Sequence, residues 1–166
     1  MAQREKKILA TIKEFANKLP KFSDGRIDYS NSNIAPVITV FVEYKGKILL
    51  LKRSDEVKVY QGKWNAVAGY LDELKPVHEK ALEEIQEELG INENNILWLR
   101  IGEPYEFTDA EVSKSWIVHP ILVELIKKPN IKMNWEHTKY KWIEPEELKQ
   151  FDTVFNLDRS LENAFK

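Results

Sequence analysis

The sequence predicts a layered α/β (α+β) domain, and three observations carry that expectation. A chain of 166 residues with 43% hydrophobic content fits one domain with a sizeable core. Runs of apolar and β-branched residues stand before and after a single central amphipathic helix, and helical patterns close both ends.

The elements follow in order. From Arg4 to Leu19, apolar residues recur at helical spacing (Ile8, Leu9, Ile12, Phe15, Ala16, Leu19) until Pro20 stops the pattern. Lys21 to Asn33 is polar and reads as turn or linker material, so residues 1–34 form an N-terminal helix and linker and 35–166 the main domain. Pro36–Val42 and Lys47–Leu51 read as strands joined through Tyr44-Lys45-Gly46-Lys47 into a hairpin. Trp64 to Leu71 reads as a strand interrupted at Gly69. Pro76 suits the first turn of a helix to Leu89, which Gly90 would cap. Extended segments are expected at 96–101, 115–125 and 139–143, then short helices at 145–150 and 157–165.

Composition excludes several chemistries. With no cysteine, disulfides, thiolate metal sites and cysteine nucleophiles are absent, and a cytoplasmic setting is expected. His78, His119 and His137 are too widely spaced for a paired-histidine metal motif. No apolar run suits a membrane span, and lysines spread along the chain suggest no nucleic-acid surface. Charge is concentrated in one place. Between Asp72 and Glu93, eight acids face two lysines, a net of −6, while the remaining residues carry +4.

Glu83, Glu84, Glu87 and Glu88 crowd the C-terminal half of the central helix. Like charges one turn apart cost about 0.2–0.5 kcal/mol per pair, and the helix dipole adds roughly 0.3–1 kcal/mol per anion there. Val77, Ala81, Ile85 and Leu89 form the apolar stripe, with Glu84 and Glu88 at its border. Such a cluster is either a solvated helix face or a set of hard oxygen ligands suited to Mg2+ or Mn2+ rather than zinc.

The residues from Gly69 through Glu83-Glu84-Ile85-Gln86-Glu87-Glu88-Leu89-Gly90-Ile91 resemble the signature of the Nudix hydrolases, G-x5-E-x7-R-E-U-x-E-E-x-G-U, where U is apolar. Both glycines, the three later glutamates and both apolar positions match. The segments Lys52-Arg53-Ser54, Gln61-Gly62-Lys63-Trp64 and Trp142-Ile143-Glu144-Pro145 are also similar to the family, so the resemblance spans most of the chain.

It implies an α/β/α sandwich with a mixed sheet, Mg2+ or Mn2+ as cofactor, and a small nucleotide substrate. The reaction implied is hydrolysis of a nucleoside diphosphate linked to another group. Glu84, Glu87, Glu88 and the Gly69 carbonyl would be metal ligands. Glu87, Glu88 and a glutamate outside the signature would be catalytic, with Glu136 the first choice and Glu106, Asp109 and Glu111 weaker ones.

Arg53 and Lys63 are candidate phosphate contacts, set against exposed strand-end cations. Trp64, Trp98, Tyr105, Phe107, Trp116 and Trp135 include candidates for base stacking, although most strand aromatics are core. His119 reads as structural and His78 as solvated. The N-terminal helix is available to pack on the domain or to make a homodimer.

Two signature positions depart: Lys75 stands for the first glutamate and Glu83 for the arginine. Either the chain is a weakened or inactive nucleotide-binding or scaffold module, or the exchange preserves a steadying ion pair with reversed polarity. The intact glutamate triad favours an enzyme. An isopentenyl-diphosphate isomerase is excluded by the missing cysteine.

Overall fold

The computed structural model describes all residues, Met1–Lys166. Eight strands form one mixed sheet: β1 (Ile34–Tyr44), β2 (Lys47–Arg53), β3 (Trp64–Asn65), β4 (Val67–Tyr70), β5 (Ile96–Ile101), β6 (Tyr105–Asp109), β7 (Lys114–Leu125) and β8 (His137–Ile143). The helices are α1 (Ala2–Lys18), α2 (Val77–Leu89) and α3 (Leu157–Ala164), with 3-10 turns at Glu93–Asn95 and Pro145–Gln150. β1 lies parallel to β7 over ten residue pairs, and every other pairing is antiparallel.

Alternation along β1 explains the layers. Val40 and Val42 join one core with Ile8, Ile12 and Ala16 of α1 and Val77, Ala81, Ile85 and Leu89 of α2. Phe41 points the other way, into a second core with Leu148 and with Leu157, Leu161 and Ala164 of α3. The expected helix–sheet–helix sandwich is therefore present. The β1–β2 turn puts both Lys45 and Gly46 at positive φ, the primed geometry that matches strand twist.

The polar stretch 20–33 carries Ile27 and Tyr29 into the main core, and the Tyr29 hydroxyl donates to the Leu71 carbonyl at 2.6 Å. Arg4 ties α1 down by donating to the carbonyls of Ile101 and Lys166 and to Glu103.

Two expectations need correction. The interruption between Trp64 and Leu71 falls at Ala66, not Gly69: there the chain leaves the ladder with β2 and joins the one with β1. Asn65 Oδ1 accepts from the Ala66 amide at that switch. β6 was not foreseen. It is only five residues long, and its Tyr105/Phe107 alternation is stabilised by pairing with β7 across register Tyr105–Val118 to Asp109–Lys114.

Candidate active site

α2 begins after Pro76 and ends at Gly90, which takes the left-handed cap (φ 68°) that a side chain would strain. Its buried stripe fixes the rotation of the helix, and that rotation sets the fate of each glutamate. Glu83 and Glu87 are exposed, Glu84 is half-buried, and Glu88 is buried at 1% exposure. Glu88 lies inside the edge position expected for it.

β4 runs beneath these acids. A Cβ on Gly69 would stand 2.8 Å from Glu84 Cδ and Oε1, so the strand approaches the carboxylate only because this residue has no side chain. Glu136 comes from the turn before β8, and Arg53 from the end of β2, where the β2–β8 register slips so that Arg53 faces His137.

Burial raises the Glu88 carboxyl well above its ordinary range, and the neighbouring charges of Glu136 and Glu84 push the same way. Glu136 is raised by burial and by Glu84, with Arg53 opposing. Glu84 is raised by burial despite Lys80, whose ammonium sits 3.2 Å away and also meets Asp72 and Glu73. Glu88 Oε2 is buried with no hydrogen-bond partner. One donor atom each from Glu88, Glu136 and His137 lies within 4.8 Å of the other two. Acids crowded at this depth, with an orphaned oxygen, fit the ligand set of a divalent cation.

A cavity of about 1140 Å³ opens beside the acids, lined by Arg53, Gly69, Glu84, Glu87 and Glu136 and by Tyr70, Tyr105, Phe107, Trp116, Trp135 and Phe155. Tyr70 and Trp116 lie with ring centroids 6.0 Å apart, and the Lys114 ammonium sits over both rings. Arg53 donates from Nε and Nη2 to the Val59 carbonyl, which holds its guanidinium at the cavity wall. Tyr60, at φ 59°, also reaches into the wall, donating to Asp109 and accepting from Trp116 Nε1.

The structure thus gathers Gly69, Glu84, Glu87, Glu88, Glu136 and Arg53. Lys63 is not in the cavity lining and pairs with Asp152 at 2.8 Å. Glu106 and Glu111 are exposed away from the cavity lining, and Asp109 is held by Tyr60 and by the Glu111 amide. Trp64 packs on Phe151 and Trp98 faces outward from β5, neither in the cavity.

Lys75 Nζ stands 2.7 Å from Glu83 Oε1 and 3.2 Å from Glu73. His78 is not simply solvated, since its Nδ1 pairs with Glu5 of α1. His119 is buried with neither ring nitrogen partnered, and burial lowers it to about 4. Sequence reasoning missed His137 and Lys80. Lys80 stands one turn before Glu84, a legible signal, whereas nothing in the spacing of the chain brings His137 to Glu88.

A model of the NUDIX domain matches residues 33–164. The nucleoside triphosphatase NudI of Escherichia coli O139:H28 (strain E24377A / ETEC) is 26% identical over 125 residues, covering 70% of this chain and 86% of that protein. Among solved structures, the MutT protein from Methanosarcina mazei Go1 superposes with a TM-score of 0.66 at 20% identity, over 81% of this chain and 95% of that one. A C. elegans Ap4A hydrolase superposes with a TM-score of 0.62 at 20% identity, over 78% and 93% of the two chains. At those identities the structural likeness speaks to the fold.

Proposed function

This chain belongs to the Nudix family and is a Nudix pyrophosphohydrolase, and from that premise we propose a metal-dependent hydrolase of nucleotide substrates centred on Glu84, Glu87, Glu88 and Glu136. The observation that carries the proposal is the buried, unpartnered Glu88 Oε2 among carboxylates whose ionisation is resisted by burial and by one another. The ligand set is Glu84, Glu87 and Glu88 with the Gly69 carbonyl, and Mg2+ or Mn2+ suits those hard oxygens. A bound divalent cation supplies charge neutralisation at the diphosphate and acidifies attacking water.

The chain's own residues do the rest. Arg53, already oriented by Val59, offers its remaining guanidinium donors to a phosphate oxygen. Glu136 lines the cavity beside the α2 acids, and its role in this reading is to accept the proton of the attacking water. Tyr70, Trp116 and Phe107 give a base an aromatic wall. The relatives act on nucleoside triphosphates and Ap4A by name, and a nucleoside diphosphate or triphosphate derivative fits this division into acidic and aromatic ends. Lys75 and Glu83 steady the loop before α2.

The test is a nucleotide panel with Mg2+ or Mn2+, the products identified by mass. Cleavage between phosphates is expected. Binding without cleavage of any member would contradict the proposal.

A further inference from the structure

One buried side chain at this centre has no part in the chemistry above. His137 is 6% exposed, its Nδ1 is buried without a hydrogen-bond partner, and its Nε2 stands 3.7 Å from Glu88 Oε1. That separation is too long for a hydrogen bond. It is within the reach of one shared ion, since two metal–ligand bonds of about 2.0–2.2 Å each span up to roughly 4 Å.

The placement comes from the backbone. Adjacent residues of a regular strand point to opposite faces, but Glu136 precedes β8 in a turn. In that turn Asn134 accepts from the Glu136 amide through its side chain and from the His137 amide through its carbonyl. Released from alternation, Glu136 and His137 both reach Glu88, and donor atoms of all three lie within 4.8 Å of one another. Glu88 Oε2, buried and unpartnered, faces the same need for a cation.

Resting on the reading that these acids bind metal, we infer that His137 is itself a ligand, making Glu88, Glu136 and His137 a mixed nitrogen–oxygen subsite. An imidazole nitrogen favours a first-row transition ion over Mg2+, which keeps oxygen donors and water, and it favours Co2+ more strongly than Mn2+. The subsite therefore takes Mn2+ or Co2+ in preference to Mg2+, and the enzyme's metal choice is written in one residue beside the α2 acids.

The test loads metal-free protein with a single equivalent of Mn2+ and reads it by pulsed EPR, with Mn2+ and Mg2+ affinities from calorimetry. Nitrogen couplings from 14N are expected, converting to 15N couplings in protein made with 15N-histidine and disappearing in His137→Gln. The variant should lose at least the roughly tenfold in Mn2+ affinity that loss of an outer-shell partner costs, with Mg2+ affinity little changed. The labelled parent alone decides the point if the variant fails to fold. Bound Mn2+ with an oxygen-only spectrum would overturn the inference and leave the metal reading intact. No Mn2+ binding by the parent would overturn both.

Discussion

Gly69 lacks a side chain where Glu84 needs the space, and this makes it the most specific position in the site. An added methyl would stand 2.8 Å from the Glu84 carboxylate, so Gly69→Ala must move either β4 or the ligand. The ligand is the softer of the two, although Lys80 also holds it. The expected outcome is a folded protein destabilised by about 1–3 kcal/mol, with turnover down by roughly 10²-fold because the misplaced group is in the reacting centre. Denaturant titration and steady-state kinetics on one preparation check both numbers. Unchanged turnover would mean that the added methyl does not displace Glu84 from a position the chemistry needs.

Lys75 and Glu83 belong to the scale of the element, because they join the loop after β4 to the face of α2. Their 2.7 Å contact is the reversed form of the pair expected from the Nudix signature. Contact with Glu83 is the first cause holding the Lys75 ammonium above its ordinary range. Lys75 lacks the bidentate fork of arginine and Glu83 is exposed, so the stability coupling should be small, about 0.2–1 kcal/mol. The coupling in turnover should be larger if the pair positions the ligands. Lys75→Glu and Glu83→Arg should each lower activity, and the double change should recover much of it. A double-mutant cycle measures this, and additive effects would mean the contact does not matter to catalysis.

At this scale the sequence was most informative about α2. Its caps, apolar stripe and glutamates all obey helical spacing, so identity and rotation could be read together. Even there the depth of Glu88 was not legible, since burial depends on what packs over the helix end. Glu136 is a candidate through family resemblance and not through any local pattern. The approach of both Glu136 and His137 to Glu88 depends on a register slip and a turn, which no local pattern encodes. β6 escaped notice because a five-residue strand depends on its partner more than on its own residues.

Across the whole molecule, α1, the sheet and α2 share one core, and Arg4 fastens the first helix to Ile101 and to the chain's last residue. Within this packed body His119 is a buried imidazole with no partner, lowered from 6.5 to about 4. Its unfolded form binds a proton at higher pH than its folded form. The stability it confers is therefore complete above pH 6.5 and is lost as pH falls towards 4, by about 3 kcal/mol in all. His119→Leu should flatten the stability profile across that window relative to the parent, as read by denaturant unfolding at several pH values. Parallel profiles would place the acid sensitivity elsewhere.

No helix is long and apolar enough to cross a membrane, and a cavity of about 1140 Å³ joins a carboxylate centre to an aromatic wall. In the proposed reaction the carboxylate centre works through a divalent cation. Its most direct test is nucleotide turnover by the parent and by Glu88→Gln, measured in excess chelator and after Mg2+ or Mn2+ is restored. The expected result is no turnover in chelator, full recovery on metal addition, and at least a roughly 10²-fold deficit in a folded Glu88→Gln at every metal concentration. Equal turnover in chelator, or a Glu88→Gln enzyme as fast as the parent, would contradict it.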